Sequence, residues 1–171
     1  GPAVHAGARL LSAMLSPLTL GDGQALMYAG FDFRDKVVWI TGASSGIGEA
    51  VAERAAARGA RLALSARDET QLARVAAACE AAGAAAVEVI PLDVTDFDAM
   101  PTAVATVAGR LGPVDLLLNN AGISQRSFCA DTSFDVYRQM MEVNVLGQIA
   151  LTQVVLRQMI ERGSGHLAVT A

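Results

Sequence analysis

Cysteine and lysine are both scarce in this sequence, and each scarcity narrows what the protein can be. The two cysteines, Cys79 and Cys129, stand far apart in a chain of 171 residues. They match no zinc or redox spacing, so no metal site is expected. Disulfide stapling is not indicated either, and a reducing cytoplasm is the default compartment. Lys36 is the only lysine, and 13 basic residues face 17 acidic ones for a net charge of −4. That balance gives no basic face for nucleic acid. No apolar run approaches the ~20 residues of a membrane span. No block of like charge marks a disordered tail.

What remains is globular. The chain is 53% hydrophobic and 18% charged, and at this length folding hides roughly 70% of the extended chain's surface. Residues 1–34 are weakly patterned. Leu10 to Leu20 is apolar but short and is broken by Pro17. This leader reads as a tail or an amphipathic segment packing on the domain; an anchor or signal segment is the alternative if residues precede it. The start at Gly1-Pro2 and the stop inside a predicted strand read as a fragment; Gly1-Pro2 alone also fits processing of a longer chain.

From residue 35 a regular alternation begins. Val37–Ile40 is an unbroken apolar strand, as expected when both faces of a sheet are covered. A helix is predicted from Ile47 to about Arg58, and a second strand over Arg61–Ala66. Asp68-Glu69-Thr70-Gln71 forms a capping box opening a helix with the stripe Leu72, Val75, Ala76 and Cys79. Cys79 thus reads as a small buried hydrophobe. Ala86–Ile90 is a third strand. Thr95–Asp98 looks like another capped start, with Phe97, Met100, Val104, Val107 and Leu111 at helical spacing and Pro101 in the first turn. Val114–Leu118 is a fourth strand. A long helix runs from Thr132–Asp135 to about Arg162, with Val136, Met140, Val143, Gly147, Ala150 and Val154 on one side. His166–Thr170 is a fifth strand. Strands alternating with helices imply an α/β fold with a parallel, doubly wound sheet.

The segment Thr41-Gly42-Ala43-Ser44-Ser45-Gly46-Ile47-Gly48 admits two chemistries. Gly42 to Gly46 is G-x-S-x-G, a hydrolase nucleophile elbow with Ser44 as nucleophile. The whole segment is also a glycine turn that cradles a dinucleotide. Gly48, inside the new helix, suits close backbone approach with phosphate at the helix N-terminus. The elbow also lacks a preceding oxyanion loop, and its triad would need His166, the only later histidine. The dinucleotide reading is therefore preferred. At the end of the second strand, where such folds face the adenosine ribose, Leu64-Ser65-Ala66-Arg67 carries no acid before Arg67. A guanidinium there suits a 2′-phosphate, so NADP is favoured over NAD.

The glycine turn, Leu92-Asp93-Val94, Asn119-Asn120-Ala121-Gly122 and Asn144 on the long helix, in that order, resemble the short-chain dehydrogenase/reductase family. The resemblance covers Lys36 to Ala171 and implies a Rossmann-like cofactor domain over residues 35–171, ending after the fifth strand. It implies that Gly42, Ser44, Ser45, Gly46, Ile47 and Gly48 line the pyrophosphate and ribose. It implies that Asp93 and Val94 bind adenine, and that Asn120, Ala121 and Gly122 border the cofactor. Asn144 is implied as a catalytic residue that holds a water; a structural bond to neighbouring backbone is the alternative. The implied reaction is hydride transfer between nicotinamide and a small-molecule carbonyl or alcohol, with a homo-oligomer implied for a full-length form.

The family's Tyr-x-x-x-Lys pair is absent from these residues. Tyr28 is followed four positions on by Asp32, and Tyr137 by Met141. The chain therefore reads as the cofactor-binding portion of an oxidoreductase, inactive alone. A non-enzymatic nucleotide-binding or interaction module is the second reading, and a serine hydrolase the third. Ile123–Phe128 reads as one wall of a substrate site without naming a substrate.

Overall fold

The computed structural model describes residues 31–170. Most of the leader, including Leu10–Leu20, lies outside the described residues. Five strands form one sheet: β1 (Val37–Thr41), β2 (Arg61–Ser65), β3 (Ala86–Val89), β4 (Leu116–Asn119) and β5 (His166–Val169). All pairings are parallel, in the order β3-β2-β1-β4-β5. The helices are α1 (Gly46–Ala56), α2 (Glu69–Ala82), α3 (Met100–Leu111), α4 (Phe134–Met141) and α5 (Gly147–Arg162). The sheet is doubly wound and Rossmann-like.

The apolar strands work because each pleat faces a different helical layer. Val38, Ile40, Leu62, Leu64, Leu116 and Leu118 enter one core with α1 and α2. Val37, Trp39, Ala63 and Leu117 enter the other with α3 and α5. In α1, Ala52, Ala55 and Ala56 are fully buried, so that helix lies close to the sheet. Trp39 is fully buried and its indole N–H donates to Ser65 Oγ at 2.8 Å. Truncating such a side chain to alanine costs about 3–5 kcal/mol. Cys79 is buried, and burial first, then the charges of Glu53, Glu49 and Glu80, push its thiol up to about 11. It is an inert part of the core.

Three details depart from the sequence-based expectation. The capping box at α2 is half-formed: Asp68 accepts from the Gln71 N–H, but the Gln71 side chain accepts from Arg74 instead of returning to Asp68. The third helix starts at Met100 rather than near Thr95. Asp96 instead closes a turn by accepting from the Ala99 N–H at 3.2 Å, which leaves Phe97 exposed. The long helix is interrupted by a π turn, Glu142–Leu146, between α4 and α5. Beyond that turn the buried stripe is Gly147, Leu151, Val155 and Met159, one residue later than expected from Ala150 and Val154, which pack at its flank. Among the described residues no helix is long and apolar enough to cross a membrane.

Candidate functional site

The strand order reverses its winding direction between β1 and β4. The loops leaving the carboxyl ends of those strands therefore diverge and open a crevice, the place where open α/β sheets bind ligands. A cavity of about 510 Å³ lies there. Gly42, Ser44, Ser45 and Ile47 line it from the glycine turn, and Arg67 from the end of β2. Asp93 and Val94 line it after β3, and Asn120, Ala121 and Gly122 after β4. Gly46, Gly48 and Asn144 are not on the wall. Ala66, Asp68, Leu92, Ile123 and Val143 also line the cavity; of these, Leu92 and Ile123 lay inside or beside the motifs read in the sequence, and Val143 is on the helix brought in by tertiary packing.

The glycine turn is shaped for an anion. Ser45 caps α1 in extended backbone without a side-chain hydrogen bond, so the first helical N–H groups are left uncapped by it. Gly46 has φ +60°, and a Cβ there would meet nothing within 4 Å. Open space thus stands at the positive end of a helix, where a phosphate is stabilised by free N–H groups and the helix dipole. Gly48 has the opposite constraint: a Cβ there would fall 2.3 Å from the Gly42 carbonyl oxygen.

Thr41 joins the two sides of the crevice. Its side chain is buried, and Oγ1 accepts from the Asn120 and Ala121 N–H groups, each at 3.0 Å. The Asn120 side chain donates to the Thr41 and Gly42 carbonyls, each at 3.1 Å. Thr170 adds a bond from Oγ1 to Asn120 Oδ1 at 2.9 Å. Thr170 is thereby committed to this loop.

Asp93 Oδ1 accepts from both the N–H and the hydroxyl of Thr95, at 2.9 and 2.8 Å. The backbone bond first, then the hydroxyl bond and the Arg67 charge, hold the Asp93 carboxyl below the usual carboxylate range against some desolvation. Asn144 sits in the π turn. Its Oδ1 accepts from the Ile123 N–H at 2.8 Å and its Nδ2 donates to the Ile123 carbonyl at 2.9 Å. Both polar ends of that side chain thus bond to one residue of the cavity wall.

Among the described residues the titratable groups on the wall are Arg67, Asp68 and Asp93, and no tyrosine, lysine or histidine lines it. His166 begins β5, paired with Leu116 at the start of β4, and so stands at the opposite end of the sheet from Ser44. The hydrolase reading fails on that distance. Tyr137, exposed on α4, donates to Cys129 Sγ at 3.3 Å, and that bond raises its hydroxyl above the usual range. A catalytic tyrosine needs the reverse shift.

A family model described as short chain dehydrogenase matches residues 36–171. The chain belongs to the short-chain dehydrogenase family. It is 46% identical over 140 residues to dehydrogenase/reductase SDR family member 7 of Homo sapiens, covering 80% of this chain and 41% of that protein. It is 39% identical to family member 7B of Danio rerio, covering 81% of this chain and 46% of that protein. The chain thus spans less than half the length of these curated relatives. Among solved structures it resembles a short-chain dehydrogenase/reductase from Burkholderia phymatum in complex with NAD, with TM-score 0.77 and 34% identity over 82% of this chain and 50% of that one. It also resembles an alcohol dehydrogenase from Thermococcus sibiricus complexed with 5-hydroxy-NADP, with TM-score 0.73 and 34% identity over 78% of this chain and 57% of that one.

Proposed function

We propose that this chain binds NADP(H) and supplies the cofactor-binding part of an oxidoreductase that interconverts a small-molecule carbonyl and its alcohol. The observation that carries the reading is the uncapped, glycine-opened N-terminus of α1 facing Asn120–Gly122 across a single cavity. The donor set suits a dinucleotide along its whole length. Gly42, Ser44, Ser45, Gly46, Ile47 and Gly48 form the pyrophosphate cradle. Leu92 and Val94 offer apolar surface to a planar base, and Asp93 offers a carboxylate to its amine. Ala121 and Gly122, with Asn120 behind them, border the nicotinamide end. Asn144 acts as a positioning residue that fixes Ile123. When bound, the nicotinamide supplies or accepts the hydride.

Arg67 supports NADP over NAD. The neighbouring Asp68 carboxylate already accepts from the Gln71 N–H as a helix cap, which lowers its claim on a ribose hydroxyl. Calorimetric titration of the 171-residue chain with NADPH and NADH tests the reading. Tighter binding of NADPH is expected, without turnover of carbonyls, because these residues contain no Tyr-x-x-x-Lys pair. A folded chain that binds neither nucleotide refutes it.

A further inference from the structure

One guanidinium ties together two groups at the edge of the crevice. Arg74, on α2, donates from Nη1 to Glu49 Oε1 at 2.6 Å and from Nη2 to Glu49 Oε2 at 3.1 Å. The same Nη2 reaches the Ser44 carbonyl oxygen at 3.4 Å, and Nε donates to Gln71 Oε1 at 2.8 Å. Ser44 is on the cavity wall, and Glu49 lies in the first turn of α1.

As a stabilising contact the pair counts for little, because the Arg74 side chain is 51% exposed and exposed ion pairs contribute weakly. Its position gives it another consequence. A glutamate in the first turn of a helix suits the dipole when no ligand is present. The same carboxylate repels a phosphate brought to that helix end. The Arg74 bond holds the Glu49 carboxyl below the usual carboxylate range, so at neutral pH the carboxylate stays charged.

We infer that Arg74 is a positioning residue for the nucleotide: it cancels the Glu49 charge beside the phosphate cradle and holds the Ser44 carbonyl in the turn. This rests on the nucleotide reading above and adds a residue 30 positions from Ser44 in the turn that it serves. A simple tie between α1 and α2 is the competing account, and it makes different predictions.

The test measures NADPH affinity and melting temperature for the 171-residue chain and its variants, each first checked for folding by circular dichroism. Arg74→Gln is expected to weaken NADPH binding about three- to tenfold at low salt, by exposing the Glu49 charge. The loss should shrink in 1 M salt, where the screening length falls to about 3 Å. Adding Glu49→Gln to Arg74→Gln should recover most of the lost affinity, although it restores no bond between the helices. Arg74→Lys, which keeps the charge, should bind within about threefold of the parent. Glu49→Gln alone should bind NADPH at least as tightly as the parent, a check that stands if Arg74→Gln fails to fold. Arg74→Gln melting lower with unchanged affinity overturns the inference, as does a double variant that binds no better than Arg74→Gln. If the folded parent binds no nucleotide, the nucleotide reading falls, and this inference falls with it.

Discussion

Replacing Gly48 with alanine separates a packing requirement from a conformational one. The added methyl would sit 2.3 Å from the Gly42 carbonyl oxygen, 2.6 Å from Asn120 Nδ2 and 2.9 Å from the Gly42 carbonyl carbon. Ordinary contact is more than 1 Å longer than the first of these, and a backbone oxygen cannot rotate away. Either α1 retreats from the turn or the turn moves. Overpacking of this kind costs about 1–3 kcal/mol. Movement of the turn also loosens the two Asn120 side-chain bonds to the Thr41 and Gly42 carbonyls, each contributing about 0.5–1.5 kcal/mol. A total of about 2–6 kcal/mol is expected, the upper end if both bonds are lost. Gly46→Ala is the comparison: its methyl meets nothing within 4 Å, and only the φ of +60° is strained, at about 1–2 kcal/mol. Urea denaturation should rank Gly48→Ala as the less stable variant, and NADPH titration should show Gly48→Ala losing affinity as the cradle deforms. Equal stability of the two variants, or a Gly48→Ala protein within ~0.5 kcal/mol of the parent, would refute the close-approach argument.

Three further outcomes are expected. Arg67→Asp should weaken NADPH binding and strengthen NADH binding in calorimetry; equal NADPH affinity in both proteins removes the role given to Arg67. The Asp93 carboxyl titrates below its ordinary range when folded, so on acidification the unfolded chain takes up that proton first. The stability it contributes is complete above the unfolded value of about 3.9 and is lost as pH falls through the folded value. The stability gap between parent and Asp93→Asn, followed by denaturation from pH 6 downward, should therefore narrow in acid; a constant gap contradicts the assignment. Asn144→Ala should cost about 1–3 kcal/mol by chemical denaturation, since it leaves the Ile123 N–H and carbonyl without their partner. A change below ~0.5 kcal/mol would mean that those groups find other partners.

The parts of the fold set by local pattern were legible in the sequence. The unbroken apolar run of β1 announced a strand covered on both faces, and Leu72, Val75 and Cys79 announced the buried face of α2. The glycine turn fell where its spacing required. Features set by contacts distant in sequence were not legible. The π turn at Glu142–Leu146 carries no local composition that distinguishes it from α-helix, while Asn144 bonds to Ile123, 21 residues earlier. The Glu49–Arg74 pair crosses 25 residues between two helices. The start of α3 was misplaced because Asp96 can cap a turn as readily as a helix, a choice made here by the Ala99 N–H.

The buried hydroxyl of Thr41 has a mechanical consequence. It accepts two N–H groups from the opposite loop and lies 3.4 Å from the Leu118 carbonyl, its own acceptor. One oxygen thus spends its full hydrogen-bonding capacity on riveting the floor of the crevice. The walls cannot part at their base without leaving the buried Thr41 hydroxyl and two half-buried N–H groups unmatched. The floor of the crevice thus keeps a constant width, and a ligand enters over its open rim.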